Sequence, residues 1–257
     1  MFRLDNRVAV ITGAASGIGA ATAKLFAETG ADLVLGSHSA DGHDIESLRA
    51  SIVELGRRVT VIDVDVRREE DVNRLVDTAA TEYGGVDIVV ANAAIARRRE
   101  SSILSDTDWN DTLDVDLTGV WRAFRAAIPL MREAGYGRLL ATTSTAGAFE
   151  AWQEHAHYSA AKAGITGLVR SLAAELGPDG ITVNAIAPGI IETPQTLDAI
   201  NSLGADGVAE TGRRQPIRRV GAPLDIAKGF LFLGSEDSSF ITGQTMIIDG
   251  GRMLLRG

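Results

Sequence analysis

The feature that most constrains the fold of this chain is a regular alternation of short apolar runs with longer helical segments. Four such units follow one another, with apolar runs at 8–12, 31–36, 59–63 and 86–91. Successive strands joined through helices run parallel, because each right-handed crossover returns the chain to the same end of the sheet. The sequence therefore predicts an α/β fold with helices on both faces of a parallel sheet.

Three later apolar runs extend the expected sheet to seven strands. These runs lie at 137–143, 181–187 and 245–248, and helical segments are predicted at 106–134 and 156–176. Residues 190–215 are polar and irregular in pattern, which predicts a mobile lid over a ligand site. No repeat or linker divides the chain, so we expect residues 1–257 to form a single domain with a doubly wound, Rossmann-like architecture.

The first predicted strand leads into a glycine-rich turn and then a helix, an arrangement typical of a phosphate-binding site. The turn contains Gly13, Ser16, Gly17, Ile18 and Gly19. Gly13 permits the tight turn, Gly17 allows close approach of a pyrophosphate, and Gly19 allows close packing of helix on strand. Such a turn can be a simple connection, but its position between a buried strand and a helix favours a nucleotide site.

The end of the second predicted strand bears on the choice of nucleotide. In dinucleotide-binding folds an acidic residue there binds the adenosine ribose hydroxyls and favours NAD. Here the strand ends in Ser37, His38 and Ser39, with no acid before Asp41. Two hydroxyls and an imidazole can accommodate a 2′-phosphate, so the sequence slightly favours NADP over NAD. His38 can also be a solvated loop residue.

Tyr158 and Lys162 lie four residues apart in the predicted helix 156–176 and therefore share one helical face. A free phenol has a pKa of about 10, and lowering it to about 7 requires roughly 4 kcal/mol. An ammonium group in a partly buried site can supply this stabilisation, which makes the pair a candidate for proton transfer. Surface helices also carry such pairs without a catalytic role. Ser144, at the end of the fifth predicted strand, would face the same crevice, although serine there is often a turn residue.

Composition excludes several other functions. The net charge is −9 and no long basic run occurs, so nucleic acid is not an expected partner. Cysteine is absent, which excludes disulfides and thiolate zinc sites, and the four histidines show no metal-ligand spacing, so no metal is expected. No apolar segment approaches the ~20 residues that span a bilayer, and residues 1–7 lack a signal-peptide core. We therefore expect a cytoplasmic protein with no membrane partner.

Two groups of side chains have roles that the sequence leaves open. Arg97, Arg98 and Arg99 follow the fourth predicted strand, where they form either a solvated basic loop or an attraction for an anionic substrate or cofactor phosphate. His155 and His157 flank the start of the helix that carries Tyr158, and they are candidates for contact with substrate.

Together these residues resemble the short-chain dehydrogenase/reductase family over essentially the whole chain. The matching segments are Thr12-Gly13, Gly17-Ile18-Gly19, Asp65-Val66, Asn92-Ala93, Ser144, Tyr158 with Lys162, Asn184, Pro188-Gly189 with Thr193, Thr242-Gly243-Gln244 and Asp249-Gly250-Gly251. The resemblance implies an NAD(P)-dependent oxidoreductase that interconverts a secondary alcohol and a ketone. It implies a small-molecule carbonyl or alcohol substrate, such as a 3-oxoacyl compound, a sugar or a cyclic ketone, and a symmetric homotetramer.

The resemblance also assigns roles to the matching residues. Tyr158 would be the general acid/base, Lys162 would lower its pKa and hold the nicotinamide ribose, and Ser144 would orient the carbonyl oxygen. The implied cofactor contacts outside the glycine turn are Ser37, His38, Asp65, Val66, Asn92, Tyr158, Lys162, Pro188, Gly189, Ile191 and Thr193.

Two departures from the family pattern carry predictions. Ala94 stands where the family has glycine, so it must avoid positive φ. Asp116 stands where the family has a catalytic asparagine, whose backbone carbonyl holds a relay water. Asp116 retains that carbonyl, but its carboxylate, if ionised and close, would raise the pKa of Tyr158 and shift the optimum for oxidation to alkaline pH. The same residue keeps open an alternative function, a nucleotide-binding sensor with little turnover.

Overall fold

All seven predicted strands pair in parallel within one sheet, of order β3-β2-β1-β4-β5-β6-β7. The strands of the computed structural model, which describes residues 2–254, are β1 (Val8–Thr12), β2 (Asp32–Ser37), β3 (Val59–Asp63), β4 (Ile88–Ala91), β5 (Gly137–Thr142), β6 (Ile181–Pro188) and β7 (Thr245–Ile248). The strand order reverses between β1 and β4, and ligands of doubly wound sheets bind at that reversal, beyond the carboxyl ends of the strands.

Helices cover both faces of this sheet. They are α1 (Gly17–Glu28), α2 (Ile45–Glu54), α3 (Glu69–Tyr83), α4 (Asp106–Leu113), α5 (Gly119–Ala134), the short turn α6 (Thr145–Ala148), α7 (Ala156–Leu176), α8 (Pro194–Leu197), α9 (Gly204–Arg214) and α10 (Pro223–Gly234). One apolar core, which includes Leu75, Phe124 and Ile165, lies under α3, α5 and α7. A second core, which includes Phe26 and Phe230, lies under α1 and α10. Two buried faces are what a parallel sheet requires.

The described helices include none with the length and apolar character that a bilayer crossing demands.

The structure corrects two of the predicted segments. The stretch 106–134 is not one continuous α-helix, because a π-helical turn at Asp114–Thr118 separates α4 from α5. The lid, residues 190–215, is not irregular throughout, because it contains α8 and α9. Helix α9 includes glycines at 204, 207 and 212, which lower helix propensity and hide the helical pattern. It is stabilised by burial of Val208 on its inner face.

Candidate active site

A crevice of ≈ 710 Å³ opens beyond the carboxyl ends of the strands and collects almost all of the predicted site residues. Those that line it are Gly13, Ser16, Gly17, Ile18, Ser37, His38, Asp65, Val66, Asn92, Ser144, Tyr158, Lys162, Pro188, Gly189, Ile191 and Thr193. Gly19 and Asp116 do not line the crevice but lie behind its wall. Residues far apart in sequence thus meet at one edge of the sheet.

The glycine turn has the geometry that the sequence predicts for a phosphate cradle. Gly13 and Gly17 have φ of 63° and 52°, a region that other residues rarely adopt. A Cβ at Gly19 would lie 2.1 Å from the carbonyl oxygen of Gly13, so only glycine fits where α1 meets the turn. Helix α1 begins at Gly17 with no acidic residue in its first turn, which leaves its amino terminus suited to an anion.

Asn92 holds the ends of three strands together beneath this cradle. Its Nδ2 donates to the carbonyl oxygens of Thr12 (3.3 Å) and Gly13 (3.2 Å), and its Oδ1 accepts from Thr142 Oγ1 (2.9 Å). Ala94, two residues later, has no positive φ, which confirms the prediction made for this departure from the family pattern. The turn after β4 is therefore fixed by side-chain hydrogen bonds and not by a glycine.

Tyr158 and Lys162 lie side by side in α7, and both are buried, with 6% and 1% of their surface exposed. The Lys162 Nζ lies 5.5 Å from the centre of the Tyr158 ring and donates to the carbonyl oxygen of Thr142 (3.2 Å). Burial raises the pKa of Tyr158, while the Lys162 charge and hydrogen bonds from Ser144 and Gln195 oppose that rise. The lysine thus acts in the predicted direction, but the net fall in pKa expected from the sequence is not found because burial outweighs it.

Asp116 lies within the π-helical turn and its side chain is completely buried. Its Oδ1 accepts the backbone N–H of Ile95 (2.8 Å), and its Oδ2 lies 3.3 Å from Lys162 Nζ. Burial raises the pKa of Asp116, whereas the Lys162 charge lowers it. The carboxylate also raises the pKa of Tyr158. The Asp116 carboxylate is therefore close to the Tyr158–Lys162 pair, as the prediction of a raised Tyr158 pKa requires. Lys162 faces both the phenol and the carboxylate.

One wall of the crevice consists of residues that the sequence reasoning missed. The Trp152 ring meets the Tyr158 ring edge-on, with centroids 5.2 Å apart and an interplanar angle of 89°. Apolar residues that also line the crevice are Ile95, Ala96, Ala146, Ala151, Ile190 and Leu203. Asn201, Ser202 and Leu203 bring the lid to the same wall. Trp152 is one of only three tryptophans and lies six residues before Tyr158, a signal that could have identified it.

The basic loop is neutralised by acidic partners. Arg97 contacts Asp111 and Arg98 contacts Glu154. Arg99 Nε lies 3.5 Å from Asp108 Oδ2. Arg97 lines the crevice, but its guanidinium is already paired there. The arrangement gives little support to the hypothesis that this loop attracts an anion.

Neither candidate histidine lines the crevice, so neither is placed to contact substrate directly. Both ring nitrogens of His157 are buried without a hydrogen-bond partner, and burial lowers the pKa of His157, which favours the neutral ring. His155 is also buried and packs behind Trp152.

An acid that the sequence reasoning did not weigh lies just outside the crevice, beside the lining residues Ser37 and His38. Asp63, at the end of β3, pairs in register with Ser37 of β2. Its carboxylate accepts from both the N–H and the Oγ of Ser39 (2.8 Å each) and lies 3.9 Å from His38 Nδ1. Asp65 is paired with Arg67 (2.7 Å). Polar and negatively charged groups therefore lie at this end of the crevice, which continues past the glycine turn to Tyr158, and this lining suits the polar parts of a dinucleotide.

Comparison with known proteins gives consistent matches over nearly the full chain. A family model described as enoyl-(acyl carrier protein) reductase matches residues 13–252. Cis-4-hydroxycyclohexanecarboxylate dehydrogenase of Sinomonas cyclohexanicum is 40% identical over 249 residues, which cover 96% of each protein. The solved structure of a short-chain type dehydrogenase/reductase from Mycobacterium marinum aligns with a TM-score of 0.90 at 31% identity, over 98% of this chain and 97% of the other. Carveol dehydrogenase from Mycobacterium avium, solved in complex with NAD, aligns with a TM-score of 0.90 at 32% identity, over 99% of this chain and 100% of the other.

Proposed function

Because the chain belongs to the short-chain dehydrogenase/reductase family, we propose that it interconverts a cyclic secondary alcohol and the corresponding ketone. It is an NAD(P)-dependent oxidoreductase that acts on alcohol and ketone substrates. The observation that carries the finer proposal is the Trp152 ring edge-on to Tyr158 in a crevice with several apolar lining residues, which suits an apolar ring. Support also comes from the 40% identical relative, whose name gives its substrate as a hydroxycyclohexanecarboxylate.

We assign the proton transfer to Tyr158. During oxidation the alcohol proton would pass to the phenolate oxygen of Tyr158, and a bound nicotinamide would supply the hydride acceptor. Ser144 Oγ accepts the N–H of Ala146 (3.1 Å) and its hydroxyl hydrogen-bonds Tyr158, so a substrate oxygen placed beside Tyr158 would accept from the same hydroxyl. Lys162 favours the phenolate form of Tyr158 and is held in place by the carbonyl oxygen of Thr142.

The residues that would hold the dinucleotide are distributed along the crevice. The α1 amino terminus and the glycine turn would bind the pyrophosphate, and Asp65 with Val66 would lie beside the adenine. Lys162 and Tyr158 would reach the nicotinamide ribose. Pro188, Gly189, Ile191 and Thr193 would contact the nicotinamide end.

We further propose that NAD is preferred over NADP, contrary to the slight preference for NADP that the sequence suggests. The hydroxyl of Ser39, expected to accommodate a 2′-phosphate, donates to Asp63 instead. Asp63 also lies 3.9 Å from the His38 ring, and Arg67 is engaged by Asp65 and Asp111. A 2′-phosphate at His38 would therefore meet a carboxylate and no unpaired arginine among these residues.

Fluorescence titration with NADH and NADPH tests this preference. We expect tighter binding of NADH, and Asp63→Asn should strengthen NADPH binding about tenfold because the carboxylate charge is lost while an acceptor for Ser39 remains. The exposed Asp77→Asn, on α3, is the matched charge control. Tighter binding of NADPH by the unaltered protein would overturn the proposal.

We also propose a symmetric homotetramer in the cytoplasm, as the family resemblance implies. Large apolar side chains exposed on the described chain support association, among them Ile103, Phe149, Phe240 and Ile247. Light scattering of the purified protein would give the mass of the assembly, and a monomer at micromolar concentration would contradict this part of the proposal.

The central experiment is a screen of cyclic alcohols with NAD and of cyclic ketones with NADH. The absorbance of the reduced nicotinamide measures turnover in both directions. Tyr158→Phe should lower turnover by about 10²–10⁴-fold while NADH binding is retained. Tyr83→Phe is the control, because its hydroxyl contacts Thr60 Oγ1 (2.8 Å) on β3, away from the crevice. Nucleotide binding without turnover across the panel would instead favour the sensor.

A further inference from the structure

His155 lies at a junction of three loops just outside the substrate wall. Its Nε2 is 2.9 Å from the carbonyl oxygen of Asn201 in the lid, and its Nδ1 is 2.8 Å from the carbonyl oxygen of Gln153. Its ring stacks on Trp152, with centroids 3.6 Å apart and an interplanar angle of 9°. The histidine therefore connects the lid directly to the aromatic side chain that packs on Tyr158.

The two hydrogen-bond partners of His155 require a particular protonation state. Both partners are carbonyl oxygens, which can only accept, and a neutral imidazole carries a single N–H donor. The residue is 2% exposed, so water cannot readily replace a missing partner. Only the imidazolium form donates from both ring nitrogens, and the neutral ring would place a lone pair against one carbonyl oxygen.

The lid contact is the one that can separate. The lid turn, residues 198–203, is held together internally, since Asp198 accepts from the backbone N–H (3.1 Å) and the Nδ2 (2.9 Å) of Asn201. Outside this turn, Asn201 is held by His155 and by a long contact from the Arg98 N–H (3.4 Å). Gln153, by contrast, lies two residues from His155 in the same loop. Loss of the proton between His155 and Asn201 would therefore remove the shorter of the two contacts that hold Asn201 from outside the turn.

We propose that His155 is a positioning residue whose imidazolium form fastens the lid turn over the substrate wall. Asp198, Asn201, Ser202 and Leu203 all line the crevice, so their position sets how tightly a substrate is enclosed. Deprotonation of His155 loosens the lid and weakens substrate retention, while the proton transfer at Tyr158 is left in place. The kinetic consequence rests on the proposed oxidoreductase function, but the protonation state and the contact do not.

Charged groups of both signs surround this junction, and most of them are paired. Glu154, which precedes His155, has a φ of 61° and contacts Arg98. The Arg99 N–H donates to the carbonyl oxygen of Glu154 (2.8 Å). The remaining titratable or charged groups nearby are Asp198 in the lid, His157 on α7, and Arg97, Asp108 and Asp111. No single unpaired charge among these residues dominates the site, so the two carbonyl oxygens are the main specific partners of the imidazolium.

Ring-nitrogen NMR of protein labelled with ¹⁵N-histidine tests the protonation state without substrate. At acidic pH we expect both nitrogens of His155 to carry protons in slow exchange with water, because both face carbonyl oxygens, and the spectra are followed as the pH is raised until one of these protons is lost. Trp152 fluorescence should change over the same interval, and Trp152→Phe should remove that change. A ring that remains neutral throughout the range would overturn the proposal, whatever the enzyme activity.

Steady-state kinetics test the consequence for the lid. In the unaltered enzyme the KM for the alcohol should rise by about tenfold from acidic to alkaline pH as one charge-assisted hydrogen bond is lost. His155→Gln should show a raised KM that no longer varies over this range, with kcat nearly unchanged. The positioning role of His155 is wrong if the KM of His155→Gln still varies with pH. It is also wrong if this variant lowers kcat and leaves KM unchanged.

Discussion

At the scale of single residues, the unusual feature of this site is that one buried lysine faces two acidic groups, a phenol and a carboxyl group. The ammonium of Lys162 favours ionisation of both Tyr158 and Asp116, since both groups become anionic. Burial disfavours both anions, and their charges also disfavour one another. The protonation of the pair must therefore be considered together with the lysine.

Asp116→Asn should move the pH dependence of alcohol oxidation toward lower pH. Removal of the carboxylate lowers the pKa of Tyr158, so the active phenolate is populated at lower pH. The asparagine keeps an oxygen for the Ile95 N–H, so the fold should persist. The measurement is kcat/KM for oxidation against pH. An unmoved profile would show that Asp116 exerts no electrostatic effect on the reaction.

The catalytic constellation could be predicted at this scale because its spacing reflects helical geometry. Tyr158 and Lys162 share a helical face through a separation of four residues, which is visible in sequence. The link from His155 to Asn201 could not be foreseen, because it joins a side chain to a backbone carbonyl 46 positions away. The excess of burial over lysine charge at Tyr158 likewise depends on three-dimensional packing that spacing does not encode.

At the scale of elements, the site depends on how closely the turn α6 approaches the helix α7. Gly147 has a φ of 84°, and a Cβ there would lie 2.1 Å from the backbone oxygen of Ser159, next to Tyr158. Gly167 lies later in α7, where an added Cβ would meet nothing within 4 Å. A side chain at Gly147 would therefore collide with the start of α7, whereas a side chain at Gly167 would be accommodated.

Gly147→Ala should displace the start of α7 and destabilise the protein by roughly 2–4 kcal/mol, with loss of turnover. Gly167→Ala is the matched control, and we expect it to stabilise the helix by about 0.5–1 kcal/mol because alanine restricts the unfolded chain. Urea unfolding of both variants gives the comparison. Equal effects of the two substitutions would contradict the proposed close contact.

The elements that sequence predicts best are those whose stability is local. Helix α7 begins and ends at the predicted residues 156 and 176, since it is rich in alanine and leucine and lacks proline. The π-helical turn at Asp114–Thr118 was missed, because one extra residue in a helical turn leaves no periodic signature. Helix α9 was missed because its glycines and polar residues conceal a pattern that tertiary burial completes.

At the scale of the whole molecule, a buried carboxylate stabilises the sheet at the amino ends of its strands, on the side opposite the crevice. Asp32, 8% exposed at the start of β2, accepts hydrogen bonds from Arg57 Nη2 (2.6 Å) and from Arg58 Nε (2.7 Å). Burial alone would raise the pKa of Asp32, but the hydrogen bonds and charges of the two arginines outweigh it, and the net pKa is lowered. The group therefore stabilises the fold above the unfolded pKa of about 3.9, and this contribution is lost as the pH falls through the lower folded value.

Asp32→Asn should cost about 2 kcal/mol of unfolding free energy at neutral pH, because the arginines lose a charged acceptor. The variant should also show a shallower loss of stability on acidification, since one linked proton is removed. Urea unfolding at about pH 7 and about pH 3 measures both effects, with the exposed Asp77→Asn as control. If the variant lost as much stability between about pH 7 and about pH 3 as the unaltered protein, Asp32 would not be a source of the acid dependence.

One amide at the floor of the crevice has a consequence for the working lifetime of the enzyme. Asn92 directs its Nδ2 at two carbonyl oxygens, and through Thr142 it also supports the strand end that holds Lys162. Spontaneous deamidation there would replace a donor with an anion facing two acceptors. The phosphate turn and the lysine would lose their shared support in one event, so chemical ageing at this single position would disable nucleotide capture and proton transfer together.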